Sequence, residues 1–76
     1  MRRFEYVVNE PEGLHALPAT ALCEKLNQYQ CDIFAELNGQ IVDAKSIMGL
    51  FSLGAQCHDV ITFTCNGSDE DIVNLN

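Results

Sequence analysis

The chain holds two histidines, and one of them stands where it could do chemistry. His15 lies in GLHALPAT, residues 13–20. A glycine and a leucine lead into it, and Pro18 follows. Proline in that place marks the first turn of a helix, where its missing N–H costs little. His15 then sits at the mouth of the helix, beside backbone N–H groups that have no intrahelical acceptor and carry the positive end of the dipole. An imidazole there is a nucleophile next to an anion site. Position alone also leaves an ordinary surface or capping histidine open. His58, between Cys57 and Asp59 in a loop before a strand, reads as a surface residue.

Ser46 precedes the apolar run IMGLFSL and is expected to cap a short helix, a role that needs no further function to explain it. The four cysteines, Cys23, Cys31, Cys57 and Cys65, form no C-x-x-C pair. Without a secretory signal, reduced thiols are the expectation. Cys31 falls in phase with Ile33, Ala35 and Leu37, and Cys65 with Ile61 and Phe63, so both read as small core residues. A zinc site on Cys57, His58 and another cysteine would lack the ligand spacing such sites use. No metal and no cofactor is expected.

These groups must be positioned by short elements. Residues 3–8 alternate, with Phe4, Tyr6 and Val8 on one face, which predicts a strand. Pro11 and Gly13 mark the loop that follows. A helix is predicted from about residue 16 to 29, burying Ala19, Leu22, Cys23, Leu26 and Tyr29 and turning Leu17, Thr20, Glu24 and Gln28 to water. Residues 31–37 alternate again, Asn38-Gly39 predicts a tight hairpin, and residues 40–44 return. The Ser46 helix runs to about Leu53, with Gly54 to end it. Residues 60–65 form a fourth strand. Asn66-Gly67 turns the chain, and Ser68 is expected to cap a last helix of about two turns with an acidic start, Asp69, Glu70 and Asp71. The order β-α-β-β-α-β-α indicates one two-layer α+β domain over residues 1–76.

The Ser46 helix is unusual. Ile47, Met48, Leu50, Phe51 and Leu53 cover more of its circumference than the stripe of about 100° that a surface helix needs. Leu50 and Leu53 can face the sheet. Met48 and Phe51 cannot easily join them, so an exposed apolar patch is expected, with the adaptable contact that methionine gives.

Composition excludes several classes. Eleven acidic residues face four fixed cations, for a net charge of −7. That opposes binding to nucleic acid, which needs a basic surface, and to anionic membranes. No apolar run reaches the length of a membrane span, and the N-terminus lacks the long apolar core of a signal peptide. A cytoplasmic location is expected.

GLHALPAT, the Asn-Gly hairpin and KSIMGLFSLGA, residues 45–55, together resemble HPr, the histidine-containing phosphocarrier family of the sugar phosphotransferase system. The resemblance runs from the first strand to Ser68. It implies an open-faced β-sandwich: a four-stranded antiparallel sheet, order 1-4-2-3, with three helices on one face. His15 matches the phosphorylated histidine, and the amides of Ala16 and Leu17 would receive the phosphoryl oxygens. Ser46 matches the serine that a regulatory kinase phosphorylates. Leu17, Thr20, Ile47, Met48 and Phe51 would form the docking surface. Partners implied are Enzyme I and IIA-type acceptors, and on a regulatory route an HPr kinase and a transcriptional regulator.

Two departures bear on function. Leu17 stands where the family has arginine, and leucine offers a phosphate neither charge nor donor. A slow phosphohistidine relay is one expectation. The other is a regulatory binding module phosphorylated at Ser46, with little or no relay, similar in idea to the catabolite-repression homologues of HPr. The last helix also stops short of the family pattern, which raises pairing with a second copy by strand exchange.

Overall fold

Asn38 and Gly39 both hold positive φ, 52° and 81°, and the chain reverses on them. The strands they join are β2 (Asp32–Leu37) and β3 (Gln40–Asp43), paired antiparallel with Leu37 opposite Gln40. The computed structural model describes residues 1–75. Its other elements are β1 (Arg2–Val7), helix α1 (Ala16–Leu26), helix α2 (Ile47–Ser52), β4 (Val60–Asn66) and one 3-10 turn at Glu70–Ile72. The four strands form one sheet in the order β1-β4-β2-β3, with both neighbours of β4 antiparallel to it.

Alternation along the strands separates two faces. Ile33, Ala35, Ile61, Phe63 and Cys65 point into the core with Ala19, Leu22, Cys23 and Leu26 of α1 and Leu50 of α2. Phe63, fully buried on β4, stacks on Phe4 with ring centroids 5.5 Å apart and meets Tyr6 edge-on at 6.0 Å. Truncating it to alanine would cost about 3–5 kcal/mol. Among the described residues, no helix lies on the other sheet face. This is the open-faced α+β architecture that the resemblance implies.

The helices differ from the sequence reading in two places. α1 ends at Leu26 rather than near Tyr29. The Asn27 side chain closes it by donating to the Cys23 carbonyl at 2.8 Å and to the Lys45 carbonyl at 3.0 Å. Tyr29 still packs on the core, but from the loop. The expected third helix is a single 3-10 turn, so two α-helices cover the sheet where three were implied. Its cap position falls on Asp69, not Ser68. The acidic residues there accept from individual backbone amides instead of serving a helix dipole. Asp69 accepts from the N–H groups of Gln30 and Cys31, and Glu70 accepts from that of Gly67. Val73 and Leu75 pack on the core, whereas Ile72 is exposed.

Candidate functional site

His15 is the N-cap residue of α1. Its backbone is extended and its carbonyl accepts from the Ala19 N–H at 2.9 Å, the first bond of the helix. The imidazole makes no capping bond and its side chain is 42% exposed. Helix geometry leaves the Ala16 and Leu17 amides without an intrahelical acceptor, and Pro18 removes the third such donor. The site is thus a half-exposed imidazole beside two unpaired N–H groups, an arrangement that suits an anion.

The approach to His15 is fixed by the end of α2. The Leu14 N–H donates to the Ala55 carbonyl at 2.8 Å, and Leu14 is buried. Gly13 holds φ +79°, and a Cβ on it would stand 2.5 Å from that same carbonyl oxygen. Only glycine permits this close approach.

The far end of α1 is tied to the start of α2. The Lys45 carbonyl accepts from the Cys23 thiol at 3.1 Å and from Asn27. The Lys45 ammonium donates to the Tyr29 carbonyl at 2.6 Å, and the Lys45 backbone N–H donates to Asp43 Oδ1 at 2.9 Å. The helices therefore run antiparallel, with His15 near the end of α2 and Ser46 at its start. Six residues of helix span about 9 Å, so the two candidate sites stand at opposite ends of one surface.

Ser46 caps α2 as its sequence position predicts. Its Oγ accepts from the Gly49 N–H at 3.0 Å, and its side chain is half-buried. Gly49 lies where a Cβ would come within 2.8 Å of the Asp43 carbonyl oxygen, which lets α2 sit against β3. Leu50 and Leu53 are buried, while Ile47, Met48 and Phe51 are exposed, Met48 at 75%. The apolar patch expected from the helix circumference is present. Leu17 projects from the other helix at 78% exposure. Thr20 sits one turn on, its hydroxyl donating to the Ala16 carbonyl at 2.8 Å.

Two residues at the site gave little sign in the sequence. Glu12 read only as part of a loop, yet its Oε2 lies 3.9 Å from His15 Nε2. Its place three residues before the histidine was the available signal. Lys45 opens the motif KSIMGLFSLGA with no role assigned to it there, and it joins α1 to α2. His58 is exposed, with a positive φ of 77°. Among the described residues no group of three or more His, Cys, Asp and Glu side chains could hold a metal ion. Burial and the neighbouring Asp69 carboxylate push the Cys31 thiol up to about 11, and burial raises Cys65 and Cys23 as well. Protonated, buried thiols are poor nucleophiles and poor ligands.

Fold and site together define a small α+β protein that presents a histidine at a helix mouth beside an exposed apolar helix. Residues 2–74 match the family described as PTS HPr component phosphorylation site, and the chain belongs to the HPr family. A phosphocarrier protein HPr from Bacillus anthracis superposes with a TM-score of 0.86 at 38% identity, covering 92% of this chain and 83% of that one. The HPr-C-His protein of Thermoanaerobacter tengcongensis gives 0.88 at 32%, covering 93% and 80%. Crh, the catabolite repression protein of Bacillus subtilis, gives 0.73 at 37%, covering 93% and 82%, and its structure is a domain-swapped dimer.

Proposed function

We propose that this chain is a phosphocarrier of the phosphotransferase system that relays a phosphoryl group through His15. The observation that carries the reading is the half-exposed imidazole at the N-cap of α1, beside the amides of Ala16 and Leu17. The donor is Enzyme I charged by phosphoenolpyruvate, and the acceptor is a IIA-type protein. A ring-nitrogen lone pair attacks phosphorus. The new P–N bond forms on His15 as the bond to the donor breaks, and its electron pair leaves with the donor. Glu12 faces Nε2, so Nδ1 is the nitrogen assigned to the attack. The two amides then take phosphoryl oxygens. Transfer to the acceptor is the same step reversed.

Docking is assigned to Leu17, Thr20, Ile47, Met48 and Phe51, which are exposed or half-exposed around the site. Aliphatic and aromatic anchors of this kind dominate interface energetics. The place of action is the cytoplasm, in keeping with a chain whose described residues include no helix long and apolar enough to cross a membrane.

Leu17 favours a second reading. Its side chain gives the site neither charge nor hydrogen-bond donor, and Glu12 adds negative charge 3.9 Å from the imidazole. On this reading the chain is a regulatory module, phosphorylated on Ser46 by an HPr kinase and read by a transcriptional regulator. A phosphate on Ser46 would sit at a helix start, where the dipole tolerates it, and would place charge at the edge of the apolar patch. The experiment labels wild type, His15→Ala and Ser46→Ala with Enzyme I and phosphoenolpyruvate, and separately with kinase and ATP. Label from Enzyme I that His15→Ala loses supports relay. Label from the kinase alone, lost in Ser46→Ala, supports the regulatory module.

Pairing with a second copy by strand exchange is a further proposal for this chain, supported by the domain swapping of the Crh structure. Sedimentation across a range of concentrations tests it, and a single-chain mass throughout would remove it.

A further inference from the structure

The uncovered face of the sheet is not the polar surface that its exposure calls for. The strand register lays out its side chains in rows. Arg3, Thr64, Phe34 and Asp43 stand side by side across β1, β4, β2 and β3. Glu5, Thr62, Glu36 and Ile41 form the next row. Phe34 is 44% exposed and Ile41 63%. They lie diagonally across the β2–β3 pair, within reach of one another. Between them is a shallow cavity of about 210 Å³, floored by Thr62 and Thr64 and edged by Arg3 and Glu36.

Single exposed apolar residues need no explanation. Two adjacent ones around a depression, on the side away from His15 and α2, are a candidate interface. The charges choose the occupant. Glu5, Asp32, Glu36 and Asp43 surround the apolar centre, and Arg3 is the one cation among them. A second copy docked by this face would set these carboxylates against their own kind, because a two-fold contact places the same patch on both sides. A basic surface would neutralise them and gain on-rate from the field.

We propose that the open sheet face is a second docking surface, which takes a basic polypeptide segment with an apolar side chain seated between Phe34 and Ile41. This surface lies across the sheet from the helices, so a partner held there leaves His15 and the α2 patch free. It stands whether or not the relay reading does.

The probe is an acetylated peptide alternating lysine and valine, with one central phenylalanine. A glutamate-for-lysine version is the control. Binding is read by labelled-peptide anisotropy and by amide shift mapping on the whole chain. The expected result is binding of the basic peptide only, with shifts centred on Phe34, Glu36, Ile41, Thr62 and Thr64. Phe34→Thr combined with Ile41→Thr places β-branched residues suited to strands at both positions and should weaken binding about tenfold or more. Glu36→Gln should weaken it less, and added salt should do the same. Met48→Ser should leave it unchanged. Shifts centred on α1 and α2, or equal affinity in the Phe34/Ile41 variant, would overturn the proposal. If that double variant does not fold, an unchanged affinity in Glu36→Gln at low salt would overturn it instead. Concentration-dependent self-association mapped to these residues in the free protein would also overturn it, in favour of a second copy.

Discussion

In the proposed relay, Leu17 sets the pace. Its side chain stands out in water at the mouth of α1, where it offers a phosphoryl group no hydrogen bond. A charged fork at that position is worth about 1.5–3 kcal/mol. Leu17→Arg is therefore expected to speed phosphoryl acceptance by about tenfold to hundredfold, measured by rapid-quench labelling. An unchanged rate would mean that backbone amides alone hold the transferring group. Glu12 acts the other way. Its carboxylate lies 3.9 Å from the ring and repels an incoming dianion. Glu12→Gln should raise the same rate about two- to fivefold at low salt, and less at high salt. A slower Glu12→Gln would instead mean that the carboxylate helps orient the imidazole.

At the scale of the elements, two glycines and one serine hold the helices in place. Gly13→Ala puts a Cβ against the Ala55 carbonyl at a positive φ. It is expected to cost about 1–3 kcal/mol and to slow relay by loosening the approach to His15. Urea unfolding at neutral pH measures the first, and rapid-quench labelling the second. Ser46→Ala removes the acceptor for the Gly49 N–H and should cost about 1 kcal/mol. A variant as stable as wild type would show that water replaces the cap.

Much of this layout is legible in the sequence because single residues announce it. Asn38-Gly39 admits few alternatives to a hairpin. Pro18 and Ser46 mark helix starts, and the crowded apolar circumference of α2 predicts the exposed Met48 and Phe51. The end of α1 is not legible. Tyr29 continues the helical phase, but the helix stops at Leu26, where Asn27 and Lys45 bond to carbonyls of Lys45 and Tyr29 outside it. The acidic run after Gly67 misleads for a similar reason. Its carboxylates look like helix-start charges, but Asp69 serves the amides of Gln30 and Cys31, distant in sequence. Residues that act through such contacts leave no local pattern.

For the whole molecule, the same contacts set the response to pH. The Gln30 N–H, with that of Cys31, holds the Asp69 carboxyl below its usual range, and the Met1 amino group, with the Gly67 N–H, does so for Glu70. Their stabilisation is present above the ordinary carboxylate range and is lost as pH falls through these lowered values. The Glu70 carboxylate raises the Met1 amino group above 8.0, and burial raises Cys31 to about 11. Those contributions are present below the ordinary values and fade as pH rises through the raised ones. Stability should be flat from about pH 5 to 8 and fall on both sides. Urea midpoints across pH check this. Asp69→Asn should lower the plateau and flatten the acid limb, and an unchanged acid limb would place its cause elsewhere.

The central claim is that this chain carries a phosphoryl group on His15. Intact mass after incubation with Enzyme I and phosphoenolpyruvate tests it most directly, with an acid-lability check and with His15→Ala alongside. The account expects one acid-labile phosphoryl group on wild type, gained slowly, and none on His15→Ala. A cognate Enzyme I that leaves wild type unlabelled, or that labels His15→Ala equally, would contradict it.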